Sequence, residues 1–399
     1  KKSAIERADD FQQYINQLNE FGCKSYWITS QTGVGSTMTI EGFSRPVTAF
    51  ISNDYLGMSQ REETKQAGID AIIKYGTGAC AAQVIGGYLD IHQQLEQEIA
   101  SFVGQEDAIL FSSGFGANAG ILRALLGQND IALVDPYIHT SAMAGLKGTN
   151  VKRIGHNDLE YLEKTLKETK DQYQTRLVII DGVYSQDGDL SLLPEIISLC
   201  KTHEAMLMLD DAHGIGVMGA NGRGTAEHFN CLGQVDIITG TFSKSFGCVG
   251  GFAAASKKII QYLKFYADSN VFSAAPTPQV TASILKALEI IKKEPAIRAR
   301  LWENTDYLRS RLTTEGFDIG KSVSPIFPIM IRDNKKVYEI AKMLQEKGIF
   351  TIGIVYPAVR TKEARLRVSV LATHEHEQLD ALINALNDIN KDIKIKKEQ

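Results

Sequence analysis

The sequence predicts an α/β protein: a large domain on a mainly parallel sheet covered on both faces, joined to a smaller α+β domain at the C-terminal end. Two observations carry this expectation. From about residue 100, short runs that are apolar throughout alternate with helical patterns, as strands buried on both faces do. After Pro278 that alternation gives way to a long helical stretch followed by isolated strands. The size fits, since 399 residues with 44% apolar side chains can fill the cores of two or three domains.

Taken in order, residues 1–50 are expected to form an N-terminal arm, because KKSAIERADDFQQYINQLNEFG mixes charges with apolar residues at helical spacing. The segment lacks the uninterrupted apolar core of a signal peptide. Residues 51–285 are assigned to the large domain, with strands DAILFSS, IALVD, VKRIG, RLVIIDG, AMLMLDD, VDIITG and GGFAAAS. Residues 286–399 form the small domain. The helical pattern VTASILKALEIIKKEPAIRARLWENTDYLRSRL leads into it, followed by strands FPIMIRD, FTIGIVYP and RLRVSVL and the helix VYEIAKMLQEKG. The final NKDIKIKKEQ reads as a solvated tail, a functional basic tail being the alternative. There is no internal repeat.

Composition narrows the function. Lys and Arg total 43 against 47 acidic residues, a balance that argues against nucleic acid and for small-molecule partners. No apolar run approaches the roughly 18 residues that would span a bilayer. The five cysteines are scattered and form no C-x-x-C pair, so neither a disulfide framework nor a zinc site is expected, no metal is called for, and a reduced, cytoplasmic location follows.

The stretch LDDAHGIGVMG carries Gly214, Gly216 and Gly219 in G-x-G-x-x-G spacing after an apolar run. A dinucleotide fingerprint needs a helix to start at those glycines, and ANGRG, which follows, breaks helices. SSGFGANAG is the better anion cradle: it follows the strand DAILF, precedes a helical run, and offers backbone N–H groups at Ser113, Gly114 and Phe115. A tight turn is the bland reading. Asp210 and Asp211 end a strand, where open parallel sheets bind ligands, and His213 lies three positions beyond Asp210. A capping carboxylate and a satisfied core histidine are the alternative. Lys244 follows the strand VDIITG among Thr241 and Ser243, and is either a solvated charge or the amine of a Schiff base. A phosphate cradle, a buried acid and a lysine on successive strand ends are what pyridoxal phosphate requires.

YGTG, LDIHQQLE, SSGFGAN, GHND, DGVYSQDGD, LDDAHGIGVMG, GTFSKSFG, FSAAPTP and RLRVSVLATH together resemble the α-oxoamine synthases, a family of fold-type I pyridoxal-phosphate acyltransferases, over nearly the whole chain. The resemblance implies that Lys244 forms the Schiff base, that Asp210 partners the pyridine nitrogen, that His213 contacts the ring hydroxyl and that His139 stacks on the ring. It gives the phosphate to Ser113, Gly114, Phe115, Thr241 and Ser243, adds Ser185 to the cofactor set, and brings Ser273 from the neighbouring subunit of a homodimer. Arg367 and Asn53 would bind substrate, Arg367 holding the amino-acid carboxylate; the bland alternatives are a surface strand residue and a turn former.

The implied reaction is a decarboxylative condensation of an amino acid with an acyl thioester carried on coenzyme A or acyl carrier protein, giving an α-amino ketone. ALEIIKKEP, LWENTDYL, GFDIG, SPIFPI and KMLQEKGIF are most similar to the bacterial serine palmitoyltransferase branch, while SNDYLG is also similar to the aminooxononanoate synthases. Aminoketobutyrate ligase and cysteate acyltransferase activities are further alternatives. The chain departs from the family at Ala82, Gln83, Gln186 and Arg360, which points to altered substrate recognition. Competing readings are an aminotransferase or aldolase of the same fold, a dehydrogenase using Gly214 to Gly219, and a non-catalytic subunit.

Overall fold

Six consecutive residues in Arg176–Asp181 and four in Ile131–Val134 are buried, which requires cover on both faces of the sheet that holds them. A computed structural model describes residues 2–20, 22–23 and 26–396. The chain folds as two units, one of residues 53–185 and 189–301 and the other of residues 1–52, 186–188 and 302–399.

The first unit is built on seven strands: β1 (Asp107–Phe111), β2 (Ile131–Val134), β3 (Asn150–Arg153), β4 (Arg176–Asp181), β5 (Met206–Asp210), β6 (Ile237–Thr241) and β7 (Gly251–Ala255). Their spatial order is β1-β7-β6-β5-β4-β2-β3. Only β7 runs against the others, pairing antiparallel with β1 and β6. The fold is therefore α/β with a mostly parallel sheet, as the alternating runs predict. One strand differs in character: β3 is mostly exposed, because it is an edge strand whose Lys152 and Arg153 keep the edge in water. Helix Gly114–Leu125 packs Ala117, Ile121 and Leu122 onto Ile109, Ile179, Met208 and Ile237, fixing the start of that helix at the C-terminal end of β1.

The long helical pattern beyond Pro278 is two helices, Pro278–Lys293 and Pro295–Thr314. Glu294 leaves the helical region at φ −117, ψ 68, because the ring of Pro295 crowds the residue before it. In the second unit, Ile326–Met330, Arg365–Ser369 and Ile352–Ile354 form one antiparallel sheet in that order. Val47–Ala49 pairs with Thr37–Met38 and with Ile349–Phe350 in another. Helices Asn334–Glu346 and His376–Asp392 also belong to this unit. The expected solvated tail is corrected over its described part: helix runs to Asp392, Ile395 is buried, and the N–H groups of Ile395 and Lys396 donate to Asn390 Oδ1 at 2.8 and 3.1 Å. Residues 397–399 of that tail lie outside the described residues.

Candidate active site

The C-terminal ends of β1, β4, β5 and β6 surround a cavity of about 270 Å³, where an open parallel sheet is expected to bind its ligand. Ser113, Gly114, Phe115, His139, Ser185, Asp210, His213, Thr241, Ser243 and Lys244 all line it. These are ten of the predicted residues, brought together from five separate segments.

At one end lies the cradle. Ser113 is extended at φ −158, ψ 158, and its Oγ accepts the Gly116 N–H at 2.9 Å, capping helix Gly114–Leu125. The first N–H groups of a helix have no intrahelical acceptor and carry the positive end of its dipole, so Gly114 and Phe115 present an anion site. A Cβ on Gly114 would stand 2.9 Å from Thr241 Cβ, so only glycine allows the helix start to approach β6 this closely. Thr241 Oγ1 donates to the Gly250 carbonyl at 3.0 Å and lies 2.8 Å from Ser243 Oγ, which puts two hydroxyls beside the cradle.

Deeper in, Asp210 ends β5 and is buried. Its Oδ2 accepts from Asn118 Nδ2 at 2.6 Å and its Oδ1 from the Ala212 N–H at 3.1 Å. Both carboxylate oxygens thus accept from an N–H donor. His213 is buried with its Nδ1 2.8 Å from the hydroxyl of Tyr55, a residue 1% exposed. Asp181 ends β4 directly opposite Asp210 in the strand register. Its pKa is raised well above the ordinary carboxylate value by burial and by the charge of Asp210.

Lys244 follows β6 and is partly buried at the cavity wall. His139 caps helix Thr140–Gly145 and opens onto the cavity, and its Nδ1 lies 2.7 Å from Ser141 Oγ. Partial burial of its ring lowers the His139 pKa; Asp210 acts in the opposite direction and Lys244 adds to the lowering.

The glycine loop has no nucleotide geometry. No helix begins at Gly214, Gly216 or Gly219; the next is Thr225–His228. The loop instead wraps Asp211, whose Oδ2 accepts the Thr225 N–H at 2.7 Å. A Cβ on Gly214 would fall 2.0 Å from Asp211 Oδ1. Burial pushes the Asp211 carboxyl up to about 7.

Three predicted residues do not line this cavity. Asn53 precedes Tyr55 by two residues, and its Oδ1 accepts from the Tyr55 hydroxyl at 3.4 Å. Ser273 follows helix Asp268–Val271, outside the lining of its own chain's cavity. Arg367 belongs to the second unit, on the strand Arg365–Ser369. It is buried, not a surface strand residue, and donates to Ser369 Oγ at 2.9 Å. Of the departures, Gln83 turns inward and donates to the Leu110 carbonyl at 3.0 Å, and Ala82 pairs through its backbone with Ala274. The Gln186 carbonyl accepts from Arg365 at 3.2 Å. Arg360 is exposed and begins a short turn over Thr361–Glu363.

Sequence reasoning missed Tyr55, Asn118, Ser141 and Asp181. Asp181 was accessible by the strand-end rule that found Asp210. Asn118 is one turn into the helix opened by Gly114, on the face that meets β5, a signal available once that helix was drawn.

The aminotransferase class I and II family profile matches residues 45–386. The chain is 40% identical to serine palmitoyltransferase of Sphingobacterium spiritivorum over 99% of its length and 98% of that protein's. It is 38% identical to 8-amino-7-oxononanoate synthase of Thermoanaerobacter pseudethanolicus over 98% of its length and 100% of that protein's. The solved structure of SPT (serine palmitoyltransferase) with PLP (pyridoxal phosphate) as internal aldimine superposes with a TM-score of 0.94 at 28% identity, covering 99% of this chain and 100% of that one.

Proposed function

The chain belongs to the aminotransferase class I and II family and, within it, to the α-oxoamine synthases, and from that premise we propose that it condenses an amino acid with an acyl thioester, most like serine palmitoyltransferase. The observation that carries this reading is the convergence of Lys244, Asp210, His213, His139 and the Gly114 cradle on one cavity. These residues fit pyridoxal phosphate. A helix start too tight for a Cβ offers N–H groups to a phosphate, and a buried carboxylate held by two N–H donors suits a protonated pyridine nitrogen.

When bound, the cofactor supplies an aldehyde that links to amines and a cationic ring that draws electrons from the α-carbon of an amino acid. Ser113, Gly114, Phe115, Thr241 and Ser243 would hold its phosphate, Asp210 its nitrogen, His213 its hydroxyl and His139 its ring face, with Ser185 completing the set. Lys244 Nζ would anchor it and, once the substrate amine takes its place, accept the α-proton. A carbon–carbon bond then forms between the α-carbon and the thioester carbonyl, and the thiol and carbon dioxide leave. His139 would donate to the oxygen that gains charge. Arg367 is proposed to hold the amino-acid carboxylate, a task suited to a bidentate guanidinium, and Asn53 to contact the substrate.

With serine and a long-chain acyl thioester the reaction would serve sphingolipid biosynthesis. The 38% identity to an 8-amino-7-oxononanoate synthase supports alanine with a shorter, carboxyl-ended acyl group as the second reading. We further propose a homodimer in which Ser273 reaches the partner's cofactor, and a cytoplasmic location, in keeping with five cysteines that form no disulfide. No helix among the described residues is long and apolar enough to cross a membrane.

The test is reconstitution with pyridoxal phosphate. Wild type is expected to show the visible band of a lysine-linked cofactor and Lys244→Ala to lack it; a colourless, cofactor-loaded wild type overturns the proposal. Serine, alanine, glycine and cysteate, added singly and then with acyl-CoA of several lengths, identify the substrates by spectral shift and thiol release. Keto-acid-dependent amino transfer without thioester dependence would make the protein an aminotransferase instead.

A further inference from the structure

Asn118 is buried, and its Nδ2 makes two contacts that use both of its hydrogens: Asp210 Oδ2 at 2.6 Å and Ser141 Oγ at 2.9 Å. The amide orientation is fixed chemically. A turned amide would set its carbonyl oxygen 2.6 Å from a carboxylate oxygen, an acceptor facing an acceptor. Because Ser141 Oγ accepts from Asn118, the serine proton is free for His139 Nδ1, 2.7 Å away. The Ser141 N–H also points to that nitrogen at 3.4 Å. An imidazole nitrogen that accepts a hydrogen bond carries no hydrogen of its own, so the His139 hydrogen sits on Nε2.

We propose that Asn118 is a positioning residue that acts on two groups at once, orienting the Asp210 carboxylate by donating to it and, through Ser141, keeping His139 a neutral imidazole with its hydrogen on Nε2. One amide thus couples the carboxylate proposed to meet the cofactor nitrogen to the imidazole proposed to meet its ring. The charged groups that act on His139 are Asp210, which favours its cation, and Lys244, which opposes it; the Asp181 carboxyl, bonded to the His139 backbone N–H, lies on the adjoining strand end. Without the Ser141 proton, His139 Nδ1 is open to protonation and the pull of Asp210 raises its pKa.

This inference rests on the proposed cofactor site, and its test separates the two. Two variants divide the relay: Ser141→Ala cuts only the arm to His139, whereas Asn118→Ala cuts both. Histidine-selective ¹⁵N NMR reads the His139 tautomer with or without cofactor. Wild type is expected to show a single Nε2–H form across neutral pH, and both variants a tautomer mixture and a titration displaced upward. Cofactor affinity is expected to fall roughly tenfold in Asn118→Ala, the effect of a lost bond to a charged group, and to change less than about threefold in Ser141→Ala. If wild type takes up no pyridoxal phosphate, the proposed function fails while the NMR result still stands or falls. If wild type binds the cofactor and His139 keeps its tautomer in both variants, the relay is overturned. Should Asn118→Ala fail to fold, Ser141→Ala, which removes one oxygen, decides the His139 arm, and Asn118→Ser, retaining a single donor, decides the Asp210 arm by its affinity.

Discussion

Tyr55 gives the site one hydroxyl and almost no surface, since its ring is 1% exposed and its OH lies 2.8 Å from His213 Nδ1. If the phenol donates to Nδ1, the His213 hydrogen is on Nε2, the atom proposed to meet the ring hydroxyl of the cofactor. Tyr55→Phe preserves the packing and deletes the hydroxyl with its short bond to His213 Nδ1 and its longer one to Asn53 Oδ1, a change of about 1 kcal/mol for the former. Pyridoxal phosphate binding, titrated by fluorescence quenching, is expected to weaken about fivefold, and equal affinity in the variant would show that Tyr55 does not hold His213. Gly114→Ala tests the opposite end. The added Cβ, 2.9 Å from Thr241 Cβ, must push the helix start off β6, so cofactor binding should fall by more than tenfold while the far end of the helix keeps its packing. Normal affinity would mean that the cradle does not hold the phosphate. The Gly114 cradle is written in local sequence, but the roles of Tyr55 and Asn118 are not: Tyr55 and His213 are separated by 158 positions and Asn118 and Asp210 by 92. What local sequence does carry is an acid at the end of an apolar run, which is why Asp210 and His213 were legible and their supports were not.

At the scale of elements, a charged cluster ties together the ends of three adjacent strands. His156, beyond β3, has Nδ1 2.9 Å from Asp135 Oδ2, at the end of β2, and Nε2 2.9 Å from Asp189 Oδ2, beyond β4. Tyr184 also donates to Asp135 Oδ2 at 2.9 Å. Burial works against the imidazolium, but the bonds and charges of the two aspartates outweigh it and raise its pKa to about 9. A histidine pKa raised on folding stabilises fully below the unfolded value of roughly 6.5, and that contribution is lost as pH climbs through about 9. His156→Phe keeps a ring between Tyr137 and Tyr184 but leaves two aspartates facing an apolar group, and should cost roughly 1.5–3 kcal/mol at pH 6.5. Urea unfolding between pH 6.5 and 9.5 checks it: wild type should lose stability across that range more steeply than the variant, and parallel curves would exclude the cluster as the cause. The GHND and DGVYSQDGD motifs thus have a physical reason besides the cofactor, one that needs three strands in place before it can be seen. The same scale explains the helix that sequence periodicity ran through residues 280–312. Apolar spacing continues across Glu294, and only the steric demand of Pro295 divides it.

For the whole molecule, the large sheet was legible because strands buried on both faces leave uninterrupted apolar runs, and its exposed edge at Asn150–Arg153 was not, because an edge strand needs no such run. A surface that waits for a partner is written even more faintly, since its residues look like core residues placed outside. Ile73 and Ile85 are each 79% exposed and Phe272 is 88% exposed. Ala82 bridges to Ala274 and the Ala275 N–H donates to the Ala81 carbonyl at 2.9 Å, so Ile85 and Phe272 flank the segment that carries Ser273. Large aliphatic and aromatic side chains exposed around a residue proposed to serve the partner's cofactor are what a homodimer with shared sites requires. Ile85→Asp combined with Phe272→Asp puts two carboxylates into that surface, where burial without a counter-charge opposes association. Wild type is expected to sediment at twice the 43.9 kDa of the chain and the double variant at the mass of one chain. Cofactor retention should fall with dissociation, because Ser273 is proposed to complete the phosphate site of the partner. A monomeric wild type that binds pyridoxal phosphate tightly would remove both the dimer and the role of Ser273, and a dimeric double variant would move the interface elsewhere on the surface.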